Sequence, residues 1–234
     1  MEPNEIDPYE IEILTNEWWW GIGSSIVLIV FIILFFKNKK KQTQISFMKV
    51  MSVTFMISWV YALSYELHEG IWSVKESLPL HLCRISFIIC IFNLWNPKQW
   101  MFEWCLFLSI PAGFQAILTP EVPMGEGDWL LFYYYLSHSS IIFVPLYLSI
   151  VMKMNPRKNA WIKSFLYLQV FALICFPLNY IFDSNYLLLR SPPSIDNPFL
   201  FIDKWPWYIF VLELAFLLHI LILKFIFPSK RRVC

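Results

Sequence analysis

The sequence predicts an all-α, polytopic transmembrane helical bundle of about seven spans, N-terminus outside and C-terminus cytoplasmic. Three observations predict it. The 234 residues are 58% hydrophobic and only 15% charged, where a soluble domain carries roughly a quarter charged residues. Mean hydropathy is +0.56. The apolar residues fall into seven runs, each close to the roughly 20 residues that cross ~30 Å of hydrocarbon. The same figures exclude a disordered chain. The net charge of +1 gives no reason to expect nucleic acid as a partner.

Each run has its own punctuation. The first, about 18–36, ends at Asn38-Lys39-Lys40-Lys41. Ahead of it lies an acidic tail over 1–17 with Glu2, Glu5, Asp7, Glu10, Glu12 and Glu17. A secretory signal starts basic, so the first run is expected to remain as a span. The second covers about 46–67 and the third about 78–95, closed by Asn96-Pro97-Lys98. The fourth, about 100–119, runs into a Pro/Gly/acidic loop from Pro120 to Asp128. The fifth, about 130–152, precedes Asn155-Pro156-Arg157-Lys158. The sixth spans about 161–183. The longest loop, Asp183 to Lys204, separates it from the seventh at about 205–227. Residues 18–227 read as one seven-span domain, followed by a basic cytoplasmic tail over 228–234. There is no internal repeat of the inverted transporter kind.

Orientation follows from Lys and Arg. Fourteen of the 18 lie at one end: Lys37, Lys39, Lys40, Lys41, Lys49, Lys98, Lys153, Arg157, Lys158, Lys163, Lys224, Lys230, Arg231 and Arg232. Lys75, Arg84, Arg190 and Lys204 lie at the other. The positive-inside rule makes the first end cytoplasmic. Carboxylates, Asp196 and Asp203 among them, concentrate outside, as do Trp18-Trp19-Trp20, Trp129, Trp205 and Trp207.

Ionisable groups inside a membrane are expensive and usually face the bundle interior. Here they gather in the outer half. His138 and Glu213 fall ~12 Å below the outer edge and Cys83 ~8 Å below it, at 1.5 Å per residue. From the other spans come Glu66 and His68, then Gln115 and Thr119, then Asn179 and Asp183. One outward-facing polar cavity accounts for them, and separate snorkelling to water is the plainer alternative.

Cys83 is the candidate nucleophile. It sits near a helix N-terminus and beside Arg84, and both favour thiolate. A small buried apolar side chain is the other reading. No C-x-x-C pair occurs among Cys83, Cys90, Cys105, Cys175 and Cys234, so neither a zinc site nor a disulfide framework is expected. His138, in Leu136-Ser137-His138-Ser139-Ser140, is the candidate general base, with Glu213 or Glu66 to orient its ring. His81 lies two residues from Cys83 and points about 200° away on a helix, so it would line the cavity instead. Arg84, Gln115 and Asn179 are candidate donors to an ester carbonyl or oxyanion. Arg84, Arg190 and Lys204 are candidate phosphate ligands. Glu66, His68, His81 and His138 have no metal-motif spacing, and no metal or cofactor is expected.

Several stretches resemble the YwaF-like family of bacterial membrane proteins, whose animal relative is transmembrane protein 164. They are Leu78-Pro79-Leu80-His81-Leu82-Cys83, Ala116-Ile117-Leu118-Thr119-Pro120, His138, Asn179, Asn185-Tyr186-Leu187-Leu188-Leu189, Trp205-Pro206-Trp207-Tyr208 and Leu212-Glu213. Family members often carry His-Gly at His138-Ser139, and Gly at Lys204. The animal member is described as an acyltransferase acting on lysophospholipids, with a cysteine as acyl carrier. By motif, the resemblance implies that role for Cys83, with His138 as partner and with Asn185 and Tyr186 among the substrate-side residues.

The expectation is an integral membrane acyltransferase, or a related lipid acyl-handling enzyme, in the cell membrane. It would act on (lyso)phospholipids at the outer leaflet through Cys83, His138 and Glu213. His81, Arg84, Glu66, Gln115, Thr119, Asn179, Asn185 and Tyr186 would bind substrate. Membrane lipids are its expected partners. The alternative is a small transporter or solute-binding membrane protein, with the same polar cavity and no reactive thiol.

Overall fold

The computed structural model describes residues 8–193, 202 and 204–229. Glu2, Glu5 and Asp7 of the acidic tail, Asp196 and Asp203, and Lys230, Arg231, Arg232 and Cys234 lie outside the described residues. Among the described residues seven long helical segments follow one another: α1 Asn16–Phe36, α2 Lys41–His68, α3 Leu82–Trp95, α4 Gln99–Leu118, α5 Asp128–Ile150, α6 Ala160–Ile181 and α7 Trp207–Ile226. Six are long and apolar enough to cross a membrane, and α3 is the shorter one. This is a multi-pass membrane protein.

Local chemistry sets the ends. Thr15 caps α1, its hydroxyl accepting from the Trp18 amide, with Glu17 in the first turn to complement the helix dipole. The Asn38-Lys39 break falls where hydropathy ends, and α2 restarts at Lys41. The third run was expected to begin near residue 78, but the helix begins at Leu82. Pro79 disfavours helical backbone at Leu78. The chain turns there instead, with the Leu80 amide on the Leu78 carbonyl.

α4 is the axis of the bundle. In its apolar window 67% of residues are buried, against 17% in α1 and 11% in each of α6 and α7. The other helices therefore keep most of their apolar surface for lipid, as with Phe31, Leu173 and Phe225. α3 and α5 pack directly against α4 and against each other. Phe102, Leu106, Leu108, Ile141, Val144, Tyr147 and Leu148 form the centre of the core.

Midway, α4 widens into a π turn over Cys105–Ser109, with the Ile110 amide on the Cys105 carbonyl. Pro111 follows two residues on. A proline ring crowds the carbonyl four residues back, and the wider turn relieves that crowding. The turn is fully buried, and it sets the Cys105 sulfur 3.5 Å from that of Cys90 on α3.

At the outer end a two-stranded antiparallel ribbon joins β1 (Tyr9–Glu10) to β2 (Glu121–Val122). The Trp18 indole donates to the Leu118 carbonyl at 2.9 Å. Together these tie the segment before α1 across the end of α4.

Candidate functional site

α3 has 14 residues, so it rises ~21 Å and falls ~9 Å short of a ~30 Å hydrocarbon layer. Its inner end is marked by Asn96-Pro97-Lys98, so the shortfall lies at the outer end. The non-helical stretch 69–81 therefore dips to membrane depth. Irregular backbone is tolerated there only when buried in protein or lining a wet cavity. The N-terminus of α3, with Cys83 in its first turn, opens at the bottom of this dip.

Arg84 braces the dip. Its Nη1 donates to the Ser77 carbonyl at 3.0 Å and its Nη2 to Glu66 Oε1 at 3.0 Å. Glu66 is buried at 4% exposure, and its Oε2 has no hydrogen-bond partner. Tyr133 of α5 lies within electrostatic reach of both members of the pair.

Cys83 is half-buried and makes no hydrogen bond among the described residues. Across the α3–α5 contact its sulfur lies within electrostatic reach of Tyr134, and Arg84 within that of His138. His138 Nδ1 lies 2.8 Å from the Tyr134 carbonyl oxygen, one turn back on α5. A carbonyl only accepts, so Nδ1 carries the proton and Nε2 keeps its lone pair. The sequence had offered Glu213 or Glu66 as the orienting group. The structure gives that place to the Tyr134 carbonyl, and Glu213 makes no hydrogen bond to His138. The signal was available, because a helical histidine reaches its own i−4 carbonyl. His219 does the same with Ala215 at 2.7 Å.

The Tyr134 hydroxyl donates to the Ala116 carbonyl at 2.6 Å and accepts from the Glu121 amide. The Ala116–Pro120 stretch is thereby fastened to α5. Gln115 and Thr119 are half-buried and bonded to each other along α4, Nε2 to Oγ1 at 3.3 Å.

Over the dip lies the loop after α6. Asn179 is fully buried. Its Oδ1 accepts from Ser184 Oγ and the Tyr186 amide, and its Nδ2 donates to the Tyr186 carbonyl. Asn185 Oδ1 accepts from the amides of Arg190 and Ser191. Both asparagines hold the loop in its turn. The buried Tyr186 hydroxyl donates to the Val74 carbonyl at 2.7 Å and accepts from the Leu78 amide. Burial pushes that hydroxyl up to about 12. The His81 ring stands edge-on to Tyr186 at 4.8 Å, and its Nε2 is 3.4 Å from Glu76. The loop is thus locked onto the 71–81 stretch. Lys75 to Asp183 at 2.8 Å and Arg190 to Asp183 at 2.9 Å add two ion pairs at its rim.

The residues expected to form one site therefore divide by task. Arg84 pairs with Glu66 between α2 and α3, and on α5 His138 lies within electrostatic reach of Arg84 and Tyr134 within that of Cys83. His81 and Tyr186 pack ring against ring where the closing loop meets the 71–81 stretch. Asn179 and Asn185 shape the closing loop. Tyr134 and Ser77 act through their backbone carbonyls, which no side-chain pattern announces.

The chain matches the TMEM164 family over residues 13–224. It belongs to that family. The match takes in all seven helices apart from the last two residues of α7, together with the dip and the closing loop. No curated protein and no solved structure matches the chain. Membership in the TMEM164 family agrees with the multi-pass bundle; what the Cys83 region does chemically rests on its geometry.

Proposed function

We propose that this TMEM164-family protein is a membrane acyltransferase that carries the acyl group on Cys83. The observation that supports the reading is His138: Nδ1 is anchored on the Tyr134 carbonyl, and Nε2 is left with a free lone pair on α5, the helix packed against the α3 that carries Cys83. The resemblance to transmembrane protein 164 supports the same assignment.

The chemistry runs in two halves. His138 Nε2 takes the proton from Cys83 Sγ. The thiolate attacks the ester carbonyl carbon of an acyl lipid, and the negative charge moves to the carbonyl oxygen. The carbon–oxygen bond breaks. The departing lysolipid alkoxide takes the proton from His138, leaving an acyl-thioester on Cys83. In the second half a lysolipid hydroxyl gives its proton to Nε2 and attacks the thioester. The carbon–sulfur bond breaks and the thiolate regains the proton. Arg84 and the amides of the α3 first turn supply positive potential at the oxyanion. Water in place of the lysolipid would make the same site a hydrolase.

The test uses full-length purified protein and phosphatidylcholine with an alkyne-tagged acyl chain. The expected result is a tagged protein adduct that neutral hydroxylamine removes. Cys83→Ala abolishes the adduct, Cys90→Ala keeps it, and His138→Asn slows its formation by about a hundredfold, the usual size of a general-base contribution. An adduct that survives in Cys83→Ala overturns the assignment.

A further inference from the structure

At the opposite, basic end of the bundle a cleft of about 370 Å³ opens between the loop before α6 and the end of α7. That is about a dozen water volumes. Arg157, Lys158 and Lys224 line it, with Trp161, Phe107 and Phe225 among its apolar walls. No carboxylate lines it among the described residues.

The charges are not equivalent. Arg157 is held by the buried Glu103, through Nε at 2.9 Å and Nη2 at 2.6 Å, so its charge is matched. Its Nη1 has no protein partner among the described residues. Lys224 is half-buried, with its ammonium 4.5 Å over the Trp161 ring. That contact fixes the ammonium in place without neutralising it. Lys158 is exposed, with no ion pair among the described residues. The cleft therefore carries two uncompensated positive charges and a spare guanidinium N–H. Trp161, an interfacial residue type, lines it, and Phe225 beside it is a strongly exposed apolar side chain of α7.

We propose that this cleft binds the phosphate head group of an anionic phospholipid from the cytoplasmic leaflet. Lys158 and Lys224 neutralise the phosphodiester, and Arg157 Nη1 donates to a phosphate oxygen. Trp161 and Phe225 take the glycerol and the upper acyl chain. Basic pockets at this face, between membrane helices, suit such head groups. A soluble anion would meet the same cations but make no use of the apolar walls. This site lies at the other end of the bundle from Cys83 and does not depend on the acyl-carrier reading.

The experiment is native mass spectrometry of the full-length protein in detergent, titrated separately with dioleoyl phosphatidylglycerol, dioleoyl phosphatidylcholine and inorganic phosphate. Phosphatidylglycerol is expected to bind at least tenfold tighter than phosphatidylcholine, and millimolar phosphate is expected not to displace it. The double variant Lys158→Gln/Lys224→Gln is expected to lose about tenfold in phosphatidylglycerol affinity. Lys163→Gln, on the same face but outside the cleft, is expected to keep it. Equal binding of the two lipids overturns the proposal, and so does an undiminished preference in the double variant. Displacement by phosphate at matched concentration assigns the cleft to a soluble anion and overturns the lipid occupant. The comparison of lipids on the unaltered protein stands even if a variant fails to fold.

Discussion

Glu66 and Arg84 meet at 3.0 Å between α2 and α3, and only one of the two carboxylate oxygens takes part. The Glu66 side chain is 6% exposed and that of Arg84 29%, so the pair is asymmetric. Replacing Arg84 by Gln leaves a buried carboxylate without a counter-charge. It also frees the Ser77 carbonyl, hence the dip itself. Replacing Glu66 by Gln keeps an acceptor for Nη2 and removes the orphaned charge. Arg84→Gln is therefore expected to cost about 3–5 kcal/mol, with Glu66→Gln clearly milder. Thermal unfolding in one detergent ranks them. Equal losses would show that the two residues are solvated separately.

Glycine contacts offer a sharper probe of the α4–α5 seam. A Cβ on Gly113 would lie 2.8 Å from the His138 carbonyl oxygen and 2.8 Å from Ile141 Cγ1. Backbone cannot move aside as a flexible side chain does, so Gly113→Ala pushes α4 off α5 directly behind His138. Overpacking of this kind costs about 1–3 kcal/mol. Gly23 on α1 has nothing within 4 Å of its would-be Cβ. Gly23→Ala should be neutral, or stabilising by up to ~1 kcal/mol from helix propensity. If Cys83 carries acyl groups, Gly113→Ala should also slow adduct formation, whereas Gly23→Ala should not.

The closing loop has a pH dependence with a definite sign. Asp183 lies beyond the end of α6, and its carboxyl is held below its ordinary value of 3.8, first by the Lys75 hydrogen bond and then by Arg190. A lowered folded value means the ion pairs contribute fully above pH ~4, and the contribution is lost as pH falls through the folded value. Asp183 is exposed, so the effect is local loosening rather than global unfolding. Hydrogen exchange over residues 182–191, corrected for intrinsic rates, should show protection falling as pH drops below the ordinary Asp value of 3.8. Asp183→Asn should show weaker protection at pH 7 and no further acid step. Identical profiles in the two proteins would detach the loop from this triad.

Much of the fold was legible because a lipid environment imposes long apolar runs, and seven were visible. α3 was misjudged at its start because Leu78, Pro79 and Leu80 count as apolar although Pro79 prevents helix there. The π turn at Cys105–Ser109 was invisible, since it is a register shift with no residue signature. Cys83 and His138 stood out in the sequence as lone polar groups in apolar runs. Asn179 stood out for the same reason, because a polar residue near a span end looks the same whether it meets a ligand or, as its bonds to Tyr186 do, satisfies loop backbone. The His138 anchor was missed by looking for a carboxylate, when helix geometry alone supplies the Tyr134 carbonyl.

Glu103 and Arg157 were equally hidden, being 54 residues apart. Glu103 is buried at 3% exposure in the first turns of α4. Gln99 Nε2, the Arg157 amide and the Arg157 guanidinium all donate to its carboxylate. One carboxylate thus fixes the whole loop before α6. Arg157→Gln strands that charge in the core, and a loss of about 3–5 kcal/mol is expected. Glu103→Gln removes the charge with it and should lose less. The double variant should be more stable than the sum of the two losses implies, because the second change relieves the first. Unfolding of all four proteins under one condition closes the cycle. Simple additivity would mean that the loop is held by its neighbours and not by this pair. Since the pair lies at the end of the bundle opposite Cys83, thiol labelling of Cys83 should be the same in all four below their unfolding temperatures.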